Sequence, residues 1–303
     1  MQSTSSSGAP AAGWLKIAAF AAIYIIWGST YLAIVFAIET LPPFLMAGLR
    51  FMFAGAILFT WARLRGAEAP SGLHWRNTAV IGGLLLLIGN GAVVWAEQRV
   101  ASGIAALLVT TEPLWIVVLQ WLGKAKKAPS AGVIVGLVLG ALGMVVLVSP
   151  WKLEGGVDLL GSTAIFLSAG AWAWGSLFSS RASLPSSPVL TTGMQMLCGG
   201  ALLTLAGTIF GEWQTADWAS VSQRSWLALG YLVVFGSLIA FSAYSWLTRV
   251  APPSQVSTYA YVNPVIAVLL GWAIAHEEVT LQTLIATVLL VAAVVIITLK
   301  AKH

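Results

Sequence analysis

The chain has 303 residues, a length that would suit two soluble domains, but its composition excludes a soluble fold. Hydrophobic residues make up 59% of the sequence and charged residues only 8%, whereas soluble chains carry roughly a quarter charged residues. So few charges cannot cover the surface of a globule of this size. The composition therefore predicts an integral membrane protein.

The net charge of +5 does not indicate a nucleic-acid-binding protein. The lysines and arginines lie between apolar runs rather than along one helical face. The single cysteine, Cys198, lies in an apolar run, and the three histidines lie outside such runs. The sequence therefore predicts no disulfide framework, no metal site and no cofactor.

Ten apolar runs, each bounded by charges, prolines or glycines, follow a Ser/Ala/Gly-rich segment, 1–15, that we expect to be a disordered cytoplasmic tail. Since about 20 apolar residues span a bilayer, they predict an all-α membrane protein with ten transmembrane helices. The predicted spans are 16–37, 44–62, 77–97, 101–122, 131–149, 158–179, 189–210, 225–247, 254–274 and 281–299.

The distribution of charge predicts the orientation of the chain, because lysine and arginine in short loops stay on the cytoplasmic side. Placing both termini, including 300–303, in the cytoplasm puts most of the basic residues inside and most of the acidic residues outside. The predicted inside residues are Lys16, Arg63, Arg65, Arg76, Lys124, Lys126, Lys127, Arg181, Arg249, Lys300 and Lys302. The predicted location is a bacterial inner membrane.

Similar segments recur at an offset near 150, which indicates a duplication with one half at 16–149 and the other at 158–299. Trp-Gly-Ser occurs at 27–29 and 174–176, and Pro113 corresponds to Pro264. Because each half has five spans, an odd number, the second half must be inverted relative to the first. Inverted repeats are typical of transporters that bind substrate at the repeat interface and expose it alternately to either side.

The motifs that carry a family resemblance are Trp27-Gly28-Ser29, Trp174-Gly175-Ser176, Glu112-Pro113, Asn263-Pro264-Val265, Gly271 and Glu277. Over 16–299 the chain resembles the EamA repeat of the drug/metabolite transporter (DMT) superfamily, and it is most similar to the bacterial amino-acid exporters of the YddG type. The resemblance implies a ten-helix exporter of small metabolites. Asn263 stands where the first half has Glu112, and the first span lacks the acidic residue that small multidrug relatives use for protons.

Charged residues within the spans are rare and therefore informative, because an ionisable group inside a bilayer normally faces a cavity or a partner. Glu112 is predicted either to bind an ammonium group or proton, or to be a neutral, hydrogen-bonded structural group. Arg50 is a possible charge partner for a substrate carboxylate, although it could instead extend to the outer interface or pair with Glu97.

Polar and helix-breaking residues in the spans complete the predicted cavity. Pro113 and Pro264 are expected to break their helices near the midplane, as gating elements or as simple kinks. Asn90 is either a cavity residue or a link between helices. Tyr259 and Asn263 are four residues apart and share a helical face.

Aromatic residues are the last group of candidates, and they either line the cavity or fill space between helices. They are Tyr24, Trp27, Trp172, Trp174 and Tyr244.

Together these features predict a membrane exporter of amino acids, including aromatic or hydrophobic ones, and of similar small metabolites. Its partners are a small-molecule substrate and the lipid bilayer. Two alternatives remain open at this point. One is a multidrug or nucleotide-sugar transporter of the same superfamily, and the other is an intramembrane enzyme or lipid-handling protein, for which no nucleophile–base pair is apparent.

Overall fold

The computed structural model describes residues 13–122, 130–148, 158–251, 256 and 258–300. Most of the predicted N-terminal tail, the cluster Lys124, Lys126 and Lys127, and residues 301–303 lie outside the described residues. The first helix begins at Gly13, so the last three residues of the predicted tail are helical rather than disordered.

Ten long helices follow the ten predicted runs in the described part of the chain, which contains no strand. One additional turn of helix lies at Glu212–Thr215. The long helices are α1 Gly13–Ile38, α2 Pro43–Leu64, α3 Gly72–Ala96, α4 Ser102–Leu122, α5 Ala131–Val148, α6 Leu159–Ser179, α7 Pro188–Ile209, α8 223–250, α9 Tyr259–Ala275 and α10 Leu281–Lys300. The predicted all-α membrane architecture is confirmed.

Six of these segments are long and apolar enough to cross a membrane, namely α1, α2, α3, α4, α7 and the first 22 residues of α8. Three shorter apolar segments, Ala131–Leu147, Val262–Ala275 and Leu281–Ile297, lie within α5, α9 and α10. The ten helices therefore differ in how strongly their own composition marks them as spans.

Helices α2 and α7 cross at glycines, and this contact reveals the relation between the two halves. A Cβ atom on Gly55 would lie 2.7 Å from the backbone nitrogen of Leu197, and one on Gly200 would lie 2.8 Å from that of Met52. Gly48 faces Gly200 while Gly55 faces Gly193, so the two helices run antiparallel. Because α2 and α7 are the second helices of their halves, the halves have opposite orientations.

The third helix of each half contains a π-helical stretch, at Gly83–Asn90 in α3 and Leu232–Ile239 in α8. π-Helices are rare and frequently mark functional sites. These two stretches occupy corresponding positions. The first contains Gly89 and Asn90, which line the central cavity described below, and the second contacts the cavity residues Trp27 and Arg50 through Gly236 and Ser237. Apolar periodicity did not predict them, because a π-helical turn adds a residue without changing the composition.

Helix α4 is interrupted at Thr110–Thr111, immediately before Glu112 and Pro113. Pro113 has no N–H to donate to the carbonyl oxygen four residues earlier, and the hydroxyls of Thr110 and Thr111 bond the carbonyl oxygens of Leu107 and Leu108. The break expected at Pro264 in α9 is not found, which leaves the alternative of a simple kink. Pro264 lies inside a helix that is continuous from Tyr259 to Ala275.

Candidate functional site

A partly open cavity of about 100 Å³ lies between the helices and is lined by residues of α1, α2, α3, α4, α6, α8 and α9. A larger groove of about 980 Å³ is open at the surface beside Glu39 and Glu212. We take the central cavity as the candidate site because the rare polar residues of the spans meet there. Its lining consists of Trp27, Thr30, Tyr31, Ile34, Arg50, Phe51, Gly89, Asn90, Val93, Val109, Glu112, Ser168, Ala169, Trp172, Phe241, Tyr259 and Asn263.

Arg50 supplies the positive charge of this cavity. Its side chain is only 4% exposed, so it does not extend to the membrane interface. Its Nε donates to the hydroxyl of Ser237 at 2.9 Å, and its guanidinium carbon lies 4.7 Å from the ring centroid of Phe51. Its Nη1 is buried and has no hydrogen-bond partner. The cation is therefore held in place with one donor group still available.

Glu112 supplies the negative charge of this cavity. It is the first residue of the second part of α4 and is 8% exposed. The start of a helix favours an anion because its N–H groups are unpaired. The hydroxyl of Tyr259 donates to Glu112 Oε2 at 3.2 Å, which fixes one carboxylate oxygen.

Asn90 lies at the end of the π-helical stretch of α3 and lines the cavity. Its Oδ1 is buried without a hydrogen-bond partner. The neighbouring Gly89 lets the ring of Trp172 approach, because a Cβ there would lie 3.0 Å from Trp172 Cε3. A free amide oxygen thus lies next to an aromatic wall.

Trp27 is the centre of the aromatic part of the site. Its Nε1 donates to the carbonyl oxygen of Gly236 at 3.2 Å, within the π-helical stretch of α8. Its ring centroid lies 5.5 Å from Phe241, 5.2 Å from Tyr244 and 5.3 Å from Tyr259. These distances are typical of favourable aromatic pairs.

Two predicted residues, Tyr24 and Tyr244, support the cavity without lining it, and a third, Asn263, does both. Tyr244 packs behind Trp27, and Tyr24 packs beside Phe20 with its hydroxyl bonded to that of Thr258. The amide nitrogen of Asn263, with the amide in its better orientation, lies 3.2 Å from the carbonyl oxygens of Tyr24 and Tyr259. Asn263 therefore joins α1 to α9 while also facing the cavity.

The prediction that Trp174 lines the cavity is wrong. Its side chain is 60% exposed, whereas Trp172 faces inward. Residues two positions apart in an α-helix point about 200° apart around the helix axis, so Trp172 and Trp174 cannot share a face. Pro113 and Pro264 also lie outside the lining; the first acts on the backbone beside Glu112, and the second has no visible effect on helix continuity.

Sequence reasoning missed five cavity residues with polar or aromatic side chains. Two of them could have been predicted from their spacing, because Thr30 and Tyr31 follow the predicted cavity residue Trp27 by about one helical turn. The others required the tertiary structure, because an isolated serine or phenylalanine in an apolar run carries no distinctive pattern. The five residues are Thr30, Tyr31, Phe51, Ser168 and Phe241.

Two carboxylates at one end of the molecule connect the halves outside the cavity. Glu212 accepts hydrogen bonds from the backbone N–H groups of Phe44 and Leu45, at 3.1 and 2.8 Å. Burial raises the pKa of Glu212, and these two bonds oppose the shift. Glu277 accepts in the same way from Ser102 and Gly103. Each second-half carboxylate thus caps a first-half helix.

Comparison with known proteins agrees with this geometry. The EamA-like transporter family matches residues 14–149 and 159–299, which together include all ten long helices almost completely. The chain belongs to this family. Family membership makes it a membrane transporter of small molecules rather than an enzyme.

Individual relatives of this EamA-like transporter support the same conclusion. The uncharacterized inner membrane transporter YedA of Escherichia coli K12 is 41% identical over 279 residues, covering 92% of this chain and 89% of its own. The protein PecM of Dickeya dadantii is 26% identical, covering 90% and 88%. A crystal structure that is 21% identical aligns over 95% of this chain and 97% of its own with a TM-score of 0.64, which shows a common fold.

Proposed function

We propose that this protein exports amino acids and similar small zwitterions across a bacterial inner membrane by alternating access. The observation that carries the proposal is the pair of opposite charges, Arg50 and Glu112, facing one buried cavity with an aromatic wall. Arg50 would bind the substrate carboxylate through its free Nη1. Glu112, with the free amide oxygen of Asn90, would bind the ammonium group.

The aromatic wall supports a preference for apolar or aromatic substrate side chains. Trp27, Trp172 and Tyr259 offer ring faces that favour apolar contact and could also contact a cation. An engineered cavity of roughly 150 Å³ holds benzene, so the present volume of about 100 Å³ is too small for an aromatic side chain. Export of phenylalanine would therefore require the wall to move during binding.

Alternating access is supported by the opposite orientation of the two halves. Two packings of the same interface, related by the repeat symmetry, would open the cavity to opposite sides of the membrane. We further propose that both termini face the cytoplasm. The distribution of lysine and arginine supports this orientation, and the end that carries Glu212 and Glu277 is then the outer end.

A multidrug or nucleotide-sugar substrate is a weaker candidate. A nucleotide-sugar carries phosphate groups that favour several arginines or lysines, and Arg50 is the one cation among the residues that line the cavity. A lipophilic cation would use Glu112 and the aromatic wall but would leave Arg50 unpaired. The proposed zwitterion uses both charges.

Efflux from liposomes tests the proposal directly. The full-length protein is reconstituted into liposomes preloaded with labelled alanine, threonine or phenylalanine, and efflux is followed with and without a pH gradient. We expect efflux of at least one amino acid. Its amide, which lacks the carboxylate, should compete poorly because Arg50 then has no partner. The absence of efflux for the full set of amino acids would contradict the proposal.

A further inference from the structure

Two charged side chains at the same end of the cavity are buried without adequate partners. Glu97 is 6% exposed, and neither of its carboxylate oxygens has a hydrogen-bond partner. Arg50 is 4% exposed and its Nη1 is likewise free. The charge of each acts on the other, but no nitrogen–oxygen distance between them is within the 4.0 Å of an ion pair. A buried charge without a partner is strongly unfavourable.

Glu97 extends the cavity-lining face of α3 by one turn. Asn90 and Val93 line the cavity, and the N–H of Glu97 bonds the carbonyl oxygen of Val93 at 2.9 Å. Residues four apart share a helical face and differ in height by about 6 Å. Glu97 therefore lies just beyond the cavity, toward the end that carries Glu277.

The other charged and titratable groups that act on Glu97 do not supply it with a partner. Glu277, after α9, repels it, and both Glu277 oxygens are already bonded to Ser102 and Gly103. Tyr31, on α1, interacts with its charge but no hydrogen bond joins them. Arg50, on α2, is the one cation in this group.

We propose that Glu97 is an internal competitor of the substrate: it pairs with Arg50 when the carrier is empty and is displaced when a substrate carboxylate binds Arg50. This inference rests on the proposed function. In this structure the two side chains lie beyond ion-pair distance and Nη1 of Arg50 has no partner, so pairing requires one or both side chains to rearrange.

This competition assigns Glu97 to one step of the transport cycle. The empty carrier must return across the membrane with Arg50 inside it, and an unpaired arginine would oppose that step. Pairing with Glu97 removes the unpaired charge. The loaded carrier does not need Glu97, because the substrate carboxylate then neutralises Arg50.

The first test compares two modes of transport by Glu97→Gln, which keeps the size of the side chain and removes the charge that would pair with Arg50. Labelled alanine, threonine and phenylalanine are measured in liposomes, once as net efflux and once as exchange against the same unlabelled amino acid. Net efflux should fall at least about tenfold, the factor that corresponds to about 1.4 kcal/mol. Exchange should be largely retained, because the carrier is loaded in both directions.

The matched control is Glu39→Gln, which removes another carboxylate at the same end. Glu39 is partly exposed and forms an ion pair with Arg224 at 3.0 Å, so both modes should be unchanged. Equal loss of net efflux and exchange in Glu97→Gln would indicate a merely structural role and overturn the inference. Retention of both modes would overturn it as well.

A second test needs no substrate and so separates this inference from the proposed function. Thermal unfolding is measured for the empty protein with Arg50→Gln, Glu97→Gln and the double substitution. If the two side chains pair in the empty carrier, each single change should lower the unfolding temperature and the double change should lower it by less than the sum. Additive effects would exclude pairing. If the two substitutions have non-additive effects but the wild-type protein shows no efflux, the proposed function is refuted while the pairing of Arg50 with Glu97 is supported.

Discussion

At the scale of single residues, the two halves of the molecule make chemically different contributions to the cavity. Arg50, Asn90 and Glu112 come from the first half, and they include both charges and the free amide oxygen. The second-half counterpart of Glu112 is Asn263, whose amide is used to join α1 to α9. The second half thus contributes neutral and aromatic groups, so the fold is repeated while the binding chemistry is not.

The role proposed for Glu112 leads to a prediction for Glu112→Gln. A hydrogen bond to a charged group contributes about 1.5–3 kcal/mol, so amino-acid affinity should fall roughly tenfold to a hundredfold. Glu278→Gln, at an exposed carboxylate, should have no effect. Efflux from liposomes and equilibrium binding provide the measurements. If Glu112→Gln leaves efflux and its pH dependence unchanged, the carboxylate has no transport role.

At the scale of helices, the cavity depends on departures from regular α-helical structure. The break before Glu112 creates a helix start inside the bundle, and the π-helical stretches of α3 and α8 present Asn90 and the carbonyl oxygen of Gly236. Irregular backbone is tolerated inside a membrane protein where it is buried or lines a cavity. Two of the polar groups of the cavity, Glu112 and Asn90, are therefore placed by such departures, and the Gly236 carbonyl holds the cavity residue Trp27.

The sequence predicted the positions of the helices better than their internal geometry. Apolar runs bounded by charges locate all ten long helices because burial in lipid demands a long apolar segment. The cavity residues Trp27, Asn90, Glu112 and Trp172 were identified because polar or aromatic groups are unexpected in such runs. The sequence does not define how each helix is rotated about its own axis, and this explains the error at Trp174. A proline signals a missing N–H, but Pro264 shows that surrounding packing decides whether the helix breaks.

Close packing of α2 against α7 gives a prediction at the same scale. Gly55→Ala would place a Cβ 2.7 Å from the Leu197 backbone nitrogen, so the helices must separate, at a cost of about 1–3 kcal/mol. Gly230→Ala is the matched control, since nothing lies within 4 Å of its added Cβ. It should be neutral or stabilising by up to ~1 kcal/mol. Thermal unfolding in detergent measures both, and equal unfolding temperatures would contradict the proposed tight crossing.

At the scale of the whole molecule, charge is arranged differently at the two ends. The described carboxylates Glu39, Glu212 and Glu277 gather where α1 ends and where α2 and α4 begin, and each forms bonds that join the two halves or their helices. Arg63, Arg65 and Arg76 lie at the opposite ends of α2 and α3. Because cationic loops are retained in the cytoplasm, this arrangement predicts that the end with Arg63, Arg65 and Arg76 faces the cytoplasm.

Reporter fusions test that orientation. Alkaline phosphatase is active only outside the cytoplasm, whereas green fluorescent protein fluoresces when it folds inside. Fusion of the phosphatase after Thr40, between α1 and α2, should give an active enzyme, and fusion after Arg65 should give an inactive one. A fluorescent protein attached after the last residue should be fluorescent. The reverse pattern would place the basic loops outside, so that the end carrying Glu97 and Glu277 would face the cytoplasm and substrate would enter, rather than leave, past Glu97.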